Sequence, residues 1–244
     1  MRKLIVLLSA FALLSSCSRY YINTLESPNT KKIEATGEFQ FENDTLIITY
    51  NFHGMDAPVS IDCYNKLNEP LYINWQKSAL IKGDQAVSYM GKQVSFNGNL
   101  SGTSSKDIIS GNSLNQRNYD AKIIGAAALP EEISFIPPKS RIKKIPLKIS
   151  GIDYKNIADT AYQRTFIPLN GTPGVWGKEV NFNPQNSPLN FKSYLTFYTE
   201  KENIQNNFSL HQDFYISNLI RTGTNPKGIV SLESKPGNVF YLIL

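Results

Sequence analysis

Val59-Ser60-Ile61-Asp62-Cys63-Tyr64 is followed, after the polar stretch Asn65-Lys66-Leu67-Asn68-Glu69-Pro70, by Leu71-Tyr72-Ile73-Asn74-Trp75-Gln76. Apolar residues hold alternate positions in both runs: Val59, Ile61 and Cys63, then Leu71, Ile73 and Trp75. Successive side chains of a strand point to opposite faces, so each run is a strand with one buried face. The short polar link between them predicts a hairpin. Cys63 and Trp75, twelve residues apart, are expected to face one shared interior.

Outward from this pair the same period recurs. Phe39 and Phe41, then Leu46, Ile48, Tyr50 and Phe52, flank Glu42-Asn43-Asp44, a turn that Asn and Asp favour by bonding their own backbone. Ala79-Leu80-Ile81 and Ala86-Val87-Ser88-Tyr89 flank Lys82-Gly83-Asp84 and predict a further hairpin. Ile133-Ser134-Phe135-Ile136, a corner at Pro137-Pro138, and residues 142–149 read as strand, corner, strand. Pro146 places the second of these at a sheet edge, because proline donates no ladder hydrogen bond. Residues 191–199 and 208–220 are strongly β, with a bulge expected at Gln212-Asp213, and the apolar close Val239-Phe240-Tyr241-Leu242-Ile243-Leu244 is expected to dock as a strand. Residues 91–130 and 151–190 read as loop-rich insertions, the small-residue run at 122–129 fitting either a helical turn or a strand. No long amphipathic helix and no internal repeat is visible. Many short strands with Gly, Pro and Asn turns predict an all-β sandwich.

The start of the chain has a different character. Arg2 and Lys3 precede eleven mostly apolar residues, 4–14, which fits the charged and apolar regions of an export signal and is too short to span a bilayer. Leu14-Ser15-Ser16-Cys17 then resembles the lipobox of bacterial lipoproteins. The resemblance implies cleavage before Cys17, a diacylglycerol on its sulfur and a further acyl chain, such as palmitate, on the new N-terminus. Residues 1–16 are then a signal peptide, 17–36 a polar flexible tether and 37–244 the folded domain. Removing 16 of 244 residues leaves 228, enough for a real core. The net charge falls from +5 to +3 with the loss of Arg2 and Lys3, which gives no case for nucleic acid. Lipidation of Cys17 leaves Cys63 without a disulfide partner.

Few residues suggest chemistry. His53 and His211 are the only histidines, and no metal-ligand spacing occurs, so no metal site or cofactor is expected. Cys63 with either histidine would form a thiol dyad, but its strand phase buries it. No nucleophile elbow is present, and no carboxylate pair stands out, so a hydrolytic enzyme is the weakest reading and a non-catalytic role the expectation. Gly171-Thr172-Pro173-Gly174-Val175-Trp176-Gly177 reads as a turn-rich loop that presents Trp176 to a sugar or a partner. Lys139, Arg141, Lys143, Lys144 and Lys148 read as lysines guarding a sheet edge, with contact to anionic lipid or glycan as the alternative.

Three resemblances add to these readings. A core residue on one strand and a buried Trp about twelve residues on, as at Cys63 and Trp75, resembles the immunoglobulin-like sandwich, although the strand at 191–198 lacks its second cysteine. Residues 64–81 are similar to a segment of uncharacterised envelope lipoproteins of the Bacteroidota. Asp44-Thr45-Leu46 and Asp159-Thr160-Ala161 resemble the O-glycosylation motif of exported proteins of that group, with Thr45 and Thr160 as acceptors. Together they imply a lipid-anchored binding or assembly module of the outer membrane. Glycan capture is the alternative role, and the partner is a glycan or an envelope protein. The residues after the anchor, Ser18-Arg19-Tyr20-Tyr21, hold no acidic run of the surface-export kind, which points to the periplasmic face.

Overall fold

A computed structural model describes residues 19–90, 98–104, 117–123, 132–149, 151–152, 154–202 and 204–244. Among them the chain is all-β, with short 3-10 turns only at Asp159–Ala161, Pro226–Gly228 and Val230–Leu232. The strands are β1 (Tyr20–Glu26), β2 (Lys31–Lys32), β3 (Phe39–Glu42), β4 (Leu46–Asn51), β5 (Gly54–Met55), β6 (Pro58–Asn65), β7 (Leu71–Lys82), β8 (Gln85–Ser88) and β9 (Gly98–Ser104). They continue with β10 (Arg117–Ile123), β11 (Ile133–Ile136), β12 (Arg141–Lys148), β13 (Gln163–Leu169), β14 (Thr172–Asn181), β15 (Asn190–Lys201), β16 (Ile204–Thr222) and β17 (Val239–Ile243).

A large sheet runs β11-β7-β15-β16-β1-β17-β5 and curls into a half-barrel. A smaller sheet, β12-β6-β4-β3-β2, packs against part of it. The 19-residue β16 ties the large sheet together. Its first part pairs with β15, and its last part pairs with β1 on one side and β14 on the other. The ladder passes through Gln212 and Asp213 without a break; the irregularity lies opposite Thr24 and Leu25, where Ser217 is the extra residue.

The alternation predicted for Val59–Cys63 and Leu71–Trp75 holds, and all six side chains are buried in one core. The predicted hairpin does not form. β6 and β7 belong to opposite sheets, and the link between them arches across the core instead of reversing within a sheet. Asn65 holds that arch: its amide bonds the carbonyls of Glu69, Ile136 and Pro137, and its Oδ1 accepts from the N–H of Leu67. The turn between β3 and β4 forms as the sequence indicated, with Asn43 Oδ1 accepting from the N–H groups of Thr45 and Leu46, each at 2.9 Å.

The core between the sheets is aromatic. Phe214 lies 5.0–5.2 Å, centroid to centroid, from Phe39, Tyr50, Phe52 and Phe191. Full burial of each such ring stabilises the fold by about 1.5–3 kcal/mol. A buried polar network crosses the same core. The one hydroxyl proton of Tyr50 goes to Gln212 Oε1 at 2.7 Å, so Ser193 Oγ donates to Tyr50 and accepts from Tyr89 at 2.9 Å. The indole N–H of Trp75 donates to Ser134 Oγ at 2.7 Å.

β12 is an edge strand, as Pro146 required. Its ladder shifts register between Lys144 and Leu147. Lys144 lies opposite the buried Ile61 and turns its ammonium onto the Trp75 ring at 4.6 Å. A bulge and an inward charge both deter edge-to-edge pairing. Arg141 and Lys148 pair with Asp62 and Asp56, in keeping with the edge reading of the basic run.

Three further expectations are corrected. The tether expected at 17–36 does not run free from Tyr20 on, because β1 begins there and sits between β16 and β17 with Ile22, Asn23 and Leu25 buried; residues 17 and 18 lie outside the described residues. The 151–190 region is not loop-rich throughout, because β13 and β14 form a hairpin about Asn170-Gly171. Within 91–130, β9 and β10 pair as a two-stranded sheet; the remainder of that expectation, and the run at 122–129 beyond Ile123, lie outside the described residues.

Candidate functional site

Leu25 of β1 and Phe240 of β17 join the main core. Elsewhere the part of the large sheet built from β13, β14, β1, β17 and the end of β16 is covered, among the described residues, by irregular chain. On one face Ile229 and Leu232 pack on Ile22, Ile167 and Ile220. On the other, Ile152, Tyr154, Ile157 and Tyr162 pack on Tyr21, Val180, Leu219 and Leu242. Tyr154 stacks on Tyr21 at 4.8 Å and donates its hydroxyl to the buried Asn23 at 2.9 Å. This second cover stops at Tyr162. Beyond it, among the described residues, a cleft of about 570 Å³ opens on the sheet face.

Strand register dictates the floor of the cleft. Arg164 of β13 lies opposite Lys178 of β14, which lies opposite Arg221 of β16. Directly opposed residues share a face, so three cations stand side by side across three neighbouring strands. Two residues along, Phe166 lies opposite Trp176, again on that face. Their rings meet edge to face at 5.4 Å, and the Arg164 guanidinium covers the indole at 4.1 Å. Trp176 is 58% exposed and Phe166 53%. Gly174 permits this arrangement, since a Cβ there would lie 2.4 Å from the Phe166 ring. Arg19, Thr222 and Gly223 also line the cleft.

Like charges directly opposite one another destabilise a sheet. Only one carboxylate relieves them among the described residues: Asp159 meets Arg221 at 3.1 Å, and its own side chain is 80% exposed. Burial by itself lowers the Arg221 pKa, but the bond to Asp159 and the phenols of Tyr162 and Tyr21 outweigh it and leave the guanidinium more firmly charged. Arg19, Arg164 and Lys178 have no acidic partner within ion-pair distance among the described residues. The arrangement can stack a ring face on Trp176 and hold a negative group against the guanidinium and ammonium row.

Trp176 thus stands exposed as the sequence suggested, though on a strand and not at a loop tip. The other residues singled out do not join it. Cys63 is wholly buried, and burial pushes its thiol far above the ordinary range. His53 lines a separate cleft with Lys227, Glu233, Lys235 and Tyr241. Burial lowers its pKa, and its Nδ1 makes no hydrogen bond. His211 lies opposite Tyr194 in the β15–β16 ladder. Among the described residues no three His, Cys, Asp or Glu side chains gather as metal ligands. Thr160 is exposed in the turn beside Asp159, at the cleft rim, whereas Thr45 is half-buried in its turn; Cys17 lies outside the described residues. Arg19, Arg164, Lys178 and Arg221 were missed, because they come from four separate segments that only the register aligns. The Asn170-Gly171 pair was the one local signal, since Asn-Gly favours two-residue hairpin turns.

Comparison with known proteins found no matching family, no matching curated protein and no matching solved structure.

Proposed function

We propose that the chain is a lipid-anchored, non-catalytic binding module of the cell envelope, and that it captures an acidic saccharide in the Trp176 cleft. The observation that carries this reading is the row Arg164–Lys178–Arg221 beside an exposed Trp176, with Asp159 as its one acidic partner among the described residues. A sheet tolerates such a row at a cost, and a bound anion removes that cost. Exposed indole rings suit pyranose faces, which combine C–H groups with hydroxyls, and a guanidinium fork suits a carboxylate or phosphate.

The anchor reading rests on Leu14-Ser15-Ser16-Cys17 after the apolar run, and the lack of acidic residues directly after Cys17 favours the periplasmic face of the outer membrane. The fold is read as an elaborated immunoglobulin-like sandwich of a Bacteroidota-type lipoprotein. Cys63 and Trp75 lie on successive strands of opposite sheets and face one core, which supports that reading. The non-catalytic reading is supported by the burial of Cys63 and by the placement of His53 and His211 outside the Trp176 cleft.

Titration of the full chain with polygalacturonate, dextran sulfate and neutral dextran, followed by tryptophan emission and calorimetry, tests the function. Binding of the two acidic polymers, weakened at least tenfold by Trp176→Ala and by Arg164→Glu, is expected. Equal binding of neutral dextran, or acidic binding that survives both substitutions, would overturn the assignment.

A further inference from the structure

We infer that the anionic group taken by the Trp176 cleft belongs to the membrane itself: the phosphate-bearing headgroup of a lipid in the leaflet that holds the Cys17 anchor. This rests on the binding reading above and fixes the source of its ligand.

Cys17 lies only two residues before the start of the folded domain at Arg19. Arg19 bonds residue 244 through its backbone in both directions, its N–H to the Leu244 carbonyl at 3.2 Å and its carbonyl from the Leu244 N–H at 3.0 Å. β1 follows at once and lies inside the sheet, flanked by β16 and β17. The slack between the lipid-bearing residue and the folded domain is therefore two residues, at most about 7 Å. Arg19 also lines the cleft. The headgroup layer on each side of a bilayer is about 5–7 Å deep, so an acylated Cys17 would hold the cleft mouth at its height.

What the cleft presents there matches that layer. Four cations, Arg19, Arg164, Lys178 and Arg221, line it, with only Asp159 in opposition among the described residues. Trp176 and Phe166 stand beside them half exposed. Aromatic rings partition to the interface between hydrocarbon and water, and basic side chains are drawn to anionic lipid. Neighbouring strands lie about 4.8 Å apart, so the row Arg164–Lys178–Arg221 extends for about 10 Å. One phosphate and the sugar or glycerol that bears it fit within that length. A soluble polysaccharide would have to reach down to the bilayer surface to meet a site held so close to it.

The test uses the full lipidated chain, with intact mass confirming the acyl chains on Cys17, reconstituted by its own lipid into vesicles. One set is phosphatidylcholine alone and another contains phosphatidic acid; both carry a trace of lipid spin-labelled on its headgroup. Trp75 is wholly buried and serves as an unquenched internal reference, so any quenching reports Trp176. Strong quenching is expected with phosphatidic acid and weak quenching without it. Trp176→Phe should remove the signal. The pair Arg164→Glu and Lys178→Glu should reduce it to the phosphatidylcholine level while the protein stays anchored, and added salt should do the same to the unaltered chain. Quenching that ignores lipid charge, salt and the two Glu substitutions would overturn the inference, as would absence of acyl mass on Cys17. Absence of quenching in vesicles, with soluble polygalacturonate still shifting Trp176 emission, would overturn the membrane source and leave the saccharide reading standing. Absence of both would remove the two together.

Discussion

The two ends of the large sheet share β16 and meet opposite fates. Where β15 and the first part of β16 face the smaller sheet, aromatic rings interlock and no charge enters except Lys144, which rests on Trp75. Where the last part of β16 runs between β1 and β14, the cover among the described residues is irregular chain, with Ile229 and Leu232 on one face and Ile152, Tyr154, Ile157 and Tyr162 on the other. A second sheet offers a continuous row of side chains to pack on, whereas irregular chain must also find partners for its own backbone and covers less. The incompletely covered end is where the cations and the exposed indole stand. Packing of sheet on sheet makes stability in this molecule; loop on sheet leaves a surface with chemistry.

Four measurements break or sharpen that contrast. Phe214→Ala empties the centre of the ring cluster and should destabilise by about 3–5 kcal/mol, read from urea unfolding. A loss below about 1 kcal/mol would mean the two ends are held alike. Tyr154→Phe deprives buried Asn23 of a donor beneath the loop cover and should lose about 1–3 kcal/mol, with faster hydrogen exchange confined to residues 151–162. Trp176→Ala removes an exposed ring and its cation–π contact. It should change stability by no more than about 1 kcal/mol while abolishing ligand-induced changes. The smallest effect concerns His53. Its folded pKa lies below the ordinary value, so the unfolded chain takes up the proton first as pH falls. Stability from this site is therefore full above the unfolded value of about 6.5 and declines below it, through the folded pKa. The melting temperature should fall more between pH 7 and pH 5 in the unaltered chain than in His53→Gln.

Much of the sheet-packed end was legible in the sequence, because burial on one face leaves a period of two. Ile48, Ile61, Ile73 and Trp75 announce it directly. The loop-covered end was not. β1 reads as polar because its buried Asn23 is satisfied by Tyr154 and by the Tyr21 carbonyl, so hydropathy misses it. β13 and β14 carry exposed cations on the face that a core strand would make apolar, and their glycines mimic a loop. Trp176 could be singled out as a surface aromatic, but the cations around it could not. Arg164, Lys178 and Arg221 become neighbours only through ladder register, which no local pattern encodes. The supposed hairpin of β6 and β7 failed for a related reason: alternation shows which face is buried but not which sheet a strand joins.

The position of β1 bears on how the molecule is made. Its hydrogen-bond partners, β16 and β17, are the last strands in the chain, nearly the full sequence away. Such distant pairing gives a high contact order and slow closure. During synthesis the leading segment emerges first and remains without a ladder until almost every later residue has followed. A chain trimmed by a few residues at β17 would therefore lose a strand that secures β1.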